Sequence, residues 1–330
     1  MVHTDYSKVS TILLSYPERF YNGYDELVPF YDELIALIPN DFTIWIITNN
    51  NQTIRKLEEK FKHKKIQFLG LKGWDEIWLR DCVGFNVNGK IIKPKYNPSY
   101  CKRFRDRSYL KKINGLSKTI AKECLKKDVI DLDLVIDGGN FICNDYQVFL
   151  TDIIYEQNGF LSGKEINDII NCDIGLQPVI IDNNKNDAIG HIDAYLAFVD
   201  NKTAIIPNYP SFPYLKEDIG FINYLDEELK ANDINRITMY DRPVDEIGYC
   251  GCNQKGKPCI YSARGNYINF LRLNNTIILP EYTLPTKKET QYYNKTNQEI
   301  LENLGFEVLR INCDKLSKYG GVLHCISYTA

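Results

Sequence analysis

Four stretches of the chain alternate apolar and polar positions, turn on an asparagine or aspartate pair, and return as an apolar strand that ends near a proline. They are VGFNVNGKIIKPKY around Asn88-Gly89, NFICNDYQVFLTD around Asn144-Asp145, DAYLAFVDNKTAIIPNY around Asp200-Asn201, and NYINFLRLNNTIILPEY around Asn274-Asn275. Asparagine, aspartate and glycine tolerate the positive φ of tight turns, so each stretch predicts a β-hairpin. Between the hairpins the apolar period lengthens to that of an amphipathic helix, and each helix leads into another strand. The spacing predicts helices over 116–127, 163–172, 215–231 and roughly 286–304. Nearer the amino terminus, helices over 25–38 and 52–64 flank a strand at 43–48.

With the turns as markers, a unit of hairpin, helix and strand recurs about every 55–75 residues, which suggests radial repetition. The C-terminal stretch GGVLHCISYT alternates like a strand and is expected to pair with the N-terminal STILLSYP as a fifth hairpin, closing the ring. No linker or low-complexity run divides the chain, so residues 1–330 read as one α/β domain of fivefold pseudosymmetry. A doubly wound sheet fits the alternating helices less well, because parallel strands cannot be joined by two-residue turns.

Unusual residues fall at similar offsets before each hairpin. Asp81 and Asp137 each stand seven residues ahead of their turn, Asp193 eight and Asn269 six. Equal offsets place these side chains at the same ends of equivalent strands, where a ring converges on its axis. His191, two residues before Asp193 on a predicted strand, shares its face. Cys325 follows Gly320-Gly321 five residues from the chain end. His324 is expected to point away from the pocket if that strand is regular, and Arg80 and Asp81 to face opposite ways.

Three carboxylates around one pocket call for a cation, and a planar guanidinium matches paired carboxylates through its parallel N–H donors. A cysteine beside that cation is placed to attack the central carbon, with histidine as the proton carrier. Composition narrows the rest. A net charge of −3 over 330 residues offers no basic face for nucleic acid, and no apolar run is long enough for a membrane span. Ten cysteines without a visible secretory signal read as free thiols in a cytoplasmic protein. Cys250, Cys252 and Cys259 lack a fourth ligand at zinc spacing, so their Gly- and Lys-rich stretch reads as a surface loop placed to lid the pocket, and no metal or other cofactor is expected. Trp78 reads as a pocket wall, Asp75 and Glu76 as solvated turn residues, and Arg264 as a partner for a substrate carboxylate.

The motifs WDEIWLRDCVGF (74–85), IDGGNFICND (136–145), GHIDAYLAFVD (190–200), NYINFLRLN (266–274) and GGVLHCISYT (320–329) resemble, in order and spacing, those of the agmatine deiminases and the bacterial peptidylarginine deiminases. The resemblance implies the five-bladed α/β propeller of the pentein superfamily. It also implies Cys325 as the nucleophile of a covalent amidino intermediate, His191 as general acid and base, and Asp81 and Asp193 as clamps on the guanidinium. Asn269 matches an active-site asparagine. Asp137 stands where the family carries a glutamate that orients the histidine, and its shorter side chain leaves that contact to be tested. The chain also departs at PKYNPSY (94–100) and at Cys82-Val83-Gly84-Phe85, where the family usually has Gly-Pro. The expected reaction is hydrolytic deimination of agmatine to N-carbamoylputrescine, with peptidyl or free arginine as the alternative substrate. An amidinotransferase, a non-catalytic propeller and a homo-oligomer are the further expectations to be separated.

Overall fold

The computed structural model describes residues 1–17, 24–98, 107–249 and 262–330. Its strands fall into five sheets, and each repeats one theme. In the first, β1 (Thr11–Ser15), β2 (Thr43–Ile47) and β3 (Lys65–Leu69) run parallel. The next four each join a short antiparallel hairpin to a parallel third strand. They are β4 (Phe85–Val87), β5 (Lys90–Lys95) and β6 (Val129–Val135); β7 (Ile142–Cys143), β8 (Gln147–Thr151) and β9 (Gln177–Ile181); β10 (Ala197–Asp200), β11 (Thr203–Asn208) and β12 (Asn235–Tyr240); and β13 (Leu271–Leu273), β14 (Thr276–Glu281) and β15 (Glu307–Asn312). Strand β16 (Ser327–Thr329) then pairs antiparallel with β1, so the two chain ends complete a single hairpin. The predicted turns are where the backbone needs them: Asn88 has φ 50° and Asn274 φ 58°.

Helices cross between strands of each unit. They include α1 (Val28–Leu37), α2 (Asn51–Lys60), the five-residue α3 (Leu79–Val83), α4 (Arg107–Leu125), α5 (Ile153–Gln157), α6 (Gly163–Ile169), α7 (Lys216–Ala231), α8 (Lys287–Asn303) and the single turn α9 (Leu323–Ile326). Helix α4 starts nine residues ahead of the expected boundary, and α6 continues as a π turn through Ile174. Capping boxes set two starts, Ser162 with Glu165 for α6 and Thr286 with Glu289 for α8.

Short turns preceding the hairpins meet in a circuit. Helix α3 packs on the turn Gly138–Asn140, which packs on the turn Ile192–Ala194, and α9 packs back on α3. Asn269 closes the remaining gap, donating from Nδ2 to the Asp193 carbonyl at 3.2 Å and accepting from the His324 N–H at 3.2 Å. Five units therefore present five turns to one place, as the repeat predicts.

Three local expectations are corrected here. Cys325 lies on the helical turn α9 and not on a strand, and His191-x-Asp193 spans a 3₁₀ turn. Gly320, at φ 88°, and Gly321 break the approach to α9, so the chain coils once before entering β16. Arg80 and Asp81 likewise sit on α3, where successive side chains diverge by about 100° instead of alternating.

Candidate active site

The shortest helices hold the most constrained side chains. In α3, Leu79, Cys82 and Val83 are wholly buried, which pins one face to the core and leaves Asp81 on another. Asp137 stands two residues beyond the end of β6, His191 precedes the Ile192–Ala194 turn that carries Asp193, and α9 delivers Cys325. A cavity of about 230 Å³ is lined by Trp78, Asp81, His191, Asp193, Arg264, Asn269 and Cys325, among others. Asp137 lies behind that wall, completely buried.

The histidine ring is held from two sides. Its Nε2 is 3.3 Å from Asp137 Oδ2 and its Nδ1 is 3.6 Å from Asp81 Oδ1. The aspartate that replaces a longer glutamate thus still reaches the ring. Gln157 donates to the same Asp137 oxygen at 3.3 Å. Asp81 Oδ1 also accepts the Gly139 N–H at 2.8 Å. The glycine pair is explained by this approach, since a Cβ on Gly139 would lie 2.6 Å from His191 Nδ1 and 3.0 Å from Asp81 Oδ1. Gly139→Ala is accordingly expected to displace the ring and lower kcat by about 10²-fold, with the circular dichroism spectrum unchanged. Wild-type kcat in that variant contradicts the geometry.

Cys325 Sγ lies 3.6 Å from Asp193 Oδ2 and 3.4 Å from Asn269 Oδ1. Asn269 is already engaged at both ends, through the Asp193 carbonyl and the N–H groups of His324 and Cys325, so its side chain braces the turn that carries the thiol. Trp78 forms a wall: a Cβ on Gly321 would be 2.6 Å from its ring. Its indole Nε1 donates to the Tyr24 hydroxyl at 3.2 Å. Arg264 reaches the cavity, but its guanidinium is matched by Glu246 at 3.5 Å and Asp314 at 3.3 Å. Glu76 is fully buried rather than solvated, and Asp75 accepts the Tyr109 hydroxyl at 3.0 Å. The expected loop of Cys250, Cys252 and Cys259 lies outside the described residues.

Charge in the cavity is unevenly settled. Burial pushes Asp81 up to about 7, opposed by His191 and assisted by Asp137 and Asp193. Burial works against a charged His191, yet Asp81 and Asp137 outweigh it and raise the ring to about 10. Burial also works upward on Asp193, but His324 holds it below the usual carboxylate range. The Cys325 thiol is pushed well up by burial and by the Asp193 and Asp81 charges. The site therefore sets a thiol and a charged imidazole among buried carboxylates that repel one another.

Sequence reasoning missed a second acidic group on the same cavity. Asp187, Asp218 and Asp241 line it, and all three act electrostatically on the buried Tyr209 hydroxyl. The charges that act on Cys325 are those of Asp193 and Asp81. Asp187 accepts the Tyr195 hydroxyl and Asp218 the Asn184 amide. Asp241 accepts the Tyr267 N–H at 2.8 Å through Oδ1, while its buried Oδ2 has no hydrogen-bond partner. A signal was present: Asp241 directly follows β12, much as Asp137 stands two residues beyond β6.

Five hairpin units that bring a cysteine, a histidine and paired carboxylates to one cavity define a hydrolase of the class acting on guanidino groups. The sequence profile of the Porphyromonas-type peptidyl-arginine deiminases matches residues 1–330, and the chain belongs to that family. Among solved structures, the C. jejuni agmatine deiminase is similar at 18% identity and TM-score 0.75, covering 100% of this chain and 96% of its own. The Enterococcus faecalis agmatine deiminase gives 15% identity and TM-score 0.77, covering 99% of this chain and 94% of its own. The more distant Pseudomonas aeruginosa DDAH gives 12% identity and TM-score 0.57 over 98% of this chain and 100% of its own. No curated protein sequence matches the chain.

Proposed function

We propose that the protein hydrolyses agmatine to N-carbamoylputrescine and ammonia, with residues 1–330 acting as one domain around one site. The observation that supports agmatine is Asp241, which lines the cavity together with Asp187 and Asp218 and whose buried Oδ2 has no hydrogen-bond partner; burial pushes its carboxyl well above the usual carboxylate range, and an ammonium beside it would restore the charge. A substrate with a cation at each end suits two acidic groups. Free arginine would bring its carboxylate to an acidic wall whose nearby guanidinium, Arg264, is already doubly engaged.

In this reading the guanidinium sits between Asp81 and Asp193 and supplies a positive charge. Its arrival offsets the carboxylates that hold the Cys325 proton, and that proton leaves to solvent. The thiolate sulfur attacks the guanidino carbon and forms a C–S bond. His191, charged in the resting site, gives a proton to the departing nitrogen, and the C–N bond breaks to release ammonia. The now neutral imidazole takes a proton from water, and the hydroxide attacks the amidino carbon. The C–S bond breaks, the new hydroxyl gives up its proton to solvent to leave the ureido carbonyl, and the Cys325 thiolate takes a proton from solvent in turn. Asp137 keeps the ring oriented throughout.

The test is ammonia and ureido-product formation by purified protein with agmatine, free arginine and a blocked arginyl peptide. Agmatine is expected to be turned over at least about tenfold more efficiently than either arginine compound, the cost of one mismatched charge. Preference for the blocked peptide would place the activity with protein citrullination instead. Release of ammonia without an added amine separates hydrolysis from amidino transfer.

A further inference from the structure

Asp193 is bonded on the side away from the substrate cavity. His324 Nδ1 lies 2.8 Å from Asp193 Oδ2, the same oxygen that stands 3.6 Å from the Cys325 sulfur. On the far side of the ring, His324 Nε2 faces Asp5 Oδ2 at 3.4 Å, and Asp5 Oδ1 pairs with Arg80 at 3.2 Å. Arg80 is the neighbour of Asp81 on α3. A chain of alternating charge therefore runs behind the site from Asp193 through His324 and Asp5 to Arg80. Because α9 is a helical turn, consecutive residues diverge: Cys325 faces the cavity and His324 lies beneath it.

We propose that His324, backed by Asp5 of the amino-terminal segment, is a positioning residue that keeps the Asp193 carboxylate aimed and charged for an incoming amidinium or guanidinium. The inference rests on reading Asp193 as a clamp. Asp193 is buried beside two other carboxylates, and such a group takes up a proton or turns away unless a cation offsets it. The charged groups around the His324 ring divide: Arg80 opposes its charge, and Asp5 and Asp193, both within hydrogen-bond or ion-pair reach, favour it. Burial disfavours the imidazolium, yet the two aspartates hold it above the ordinary histidine range. Arg80 and His324 in turn hold the half-buried Asp5 below the usual carboxylate range. A histidine that merely filled space would need neither carboxylate.

The test compares two alkylating agents on Cys325. Chloroacetamidine carries the amidinium without any tail, and chloroacetamide is its neutral counterpart. In both, the thiolate displaces chloride to form a thioether, and the thiol proton goes to solvent. The ratio of the two rates reads the clamp alone, independent of the identity of the natural substrate. His324→Leu is expected to lower that ratio at least about tenfold, while the chloroacetamide rate changes by less than about threefold. His324→Asn, which keeps a donor near the Nδ1 position but no charge, should recover only part of the loss. Asp193→Asn is measured alongside and should lower the ratio at least as far. A normal ratio in His324→Leu with a low one in Asp193→Asn overturns the positioning role. A normal ratio in Asp193→Asn overturns the clamp itself. If His324→Leu does not fold, Asp5→Asn decides: an unchanged ratio there rejects the pair, and a lowered one supports it.

Discussion

Cys325→Ala should bring turnover of agmatine down at least about 10⁴-fold, to the level of uncatalysed hydrolysis, while binding of the substrate survives. Alanine removes the only protein atom that bonds to the guanidino carbon in the scheme. Among the described residues, the other buried thiols cannot take over, because Cys82, Cys124, Cys143 and Cys313 do not line the cavity and burial pushes each of them up. Nor can water be activated in the first step, since His191 is already charged in the resting site. The side chain is small and half-buried on α9, so truncation leaves the brace of Asn269 on the backbone N–H groups intact. Measurable binding of agmatine by calorimetry with absent ammonia release is the expected pair of results. Turnover within tenfold of wild type would remove the nucleophile from the account.

Asp81→Asn should lower kcat/KM by about 10²- to 10³-fold, the scale of stripping one partner from a buried charge pair. It should also change the shape of the pH profile. In the unliganded enzyme Asp81 loses its proton near 7, so clamping, and with it kcat/KM, rises as the pH passes upward through that value. On the other side His191 must carry a proton to release ammonia, so kcat/KM falls as the pH rises through about 10. Asparagine cannot ionise, so the acidic limb near 7 should vanish. The basic limb should move down, because Asp81 is the largest support for the charged ring. Wild-type kcat/KM that is flat between about pH 5 and 8 would contradict the ionisation assigned to Asp81.

The repeat was legible because its turns are chemically marked. Asn88 and Asn274 adopt the left-handed backbone that few residues accept, and their positions alone locate two hairpins. Strand β16 could be paired with β1 from alternation and from the need to tie down a terminal cysteine. Alternation misled where the chain coils for one turn. Leu323–Ile326 reads as a strand because its apolar residues follow the same run as Ser327–Thr329, and only two glycines mark the break. That error placed His324 as a residue with no bearing on the pocket, although it touches Asp193. Asp5 was beyond reach for another reason: its partners Arg80 and His324 are 75 and 319 positions away, and no periodicity records such a meeting. The far acidic wall was hidden likewise, since Asp187, Asp218 and Asp241 look like ordinary loop and helix-start carboxylates until the fold encloses them.

The most direct measurement is acid quenching of the purified protein during steady turnover of agmatine, followed by mass spectrometry of the Cys325 peptide. The account predicts a population of that peptide carrying the mass of agmatine less one ammonia, absent in Cys325→Ala. Steady ammonia release with an unmodified Cys325 peptide at every quench time, and undiminished release by Cys325→Ala, would contradict it.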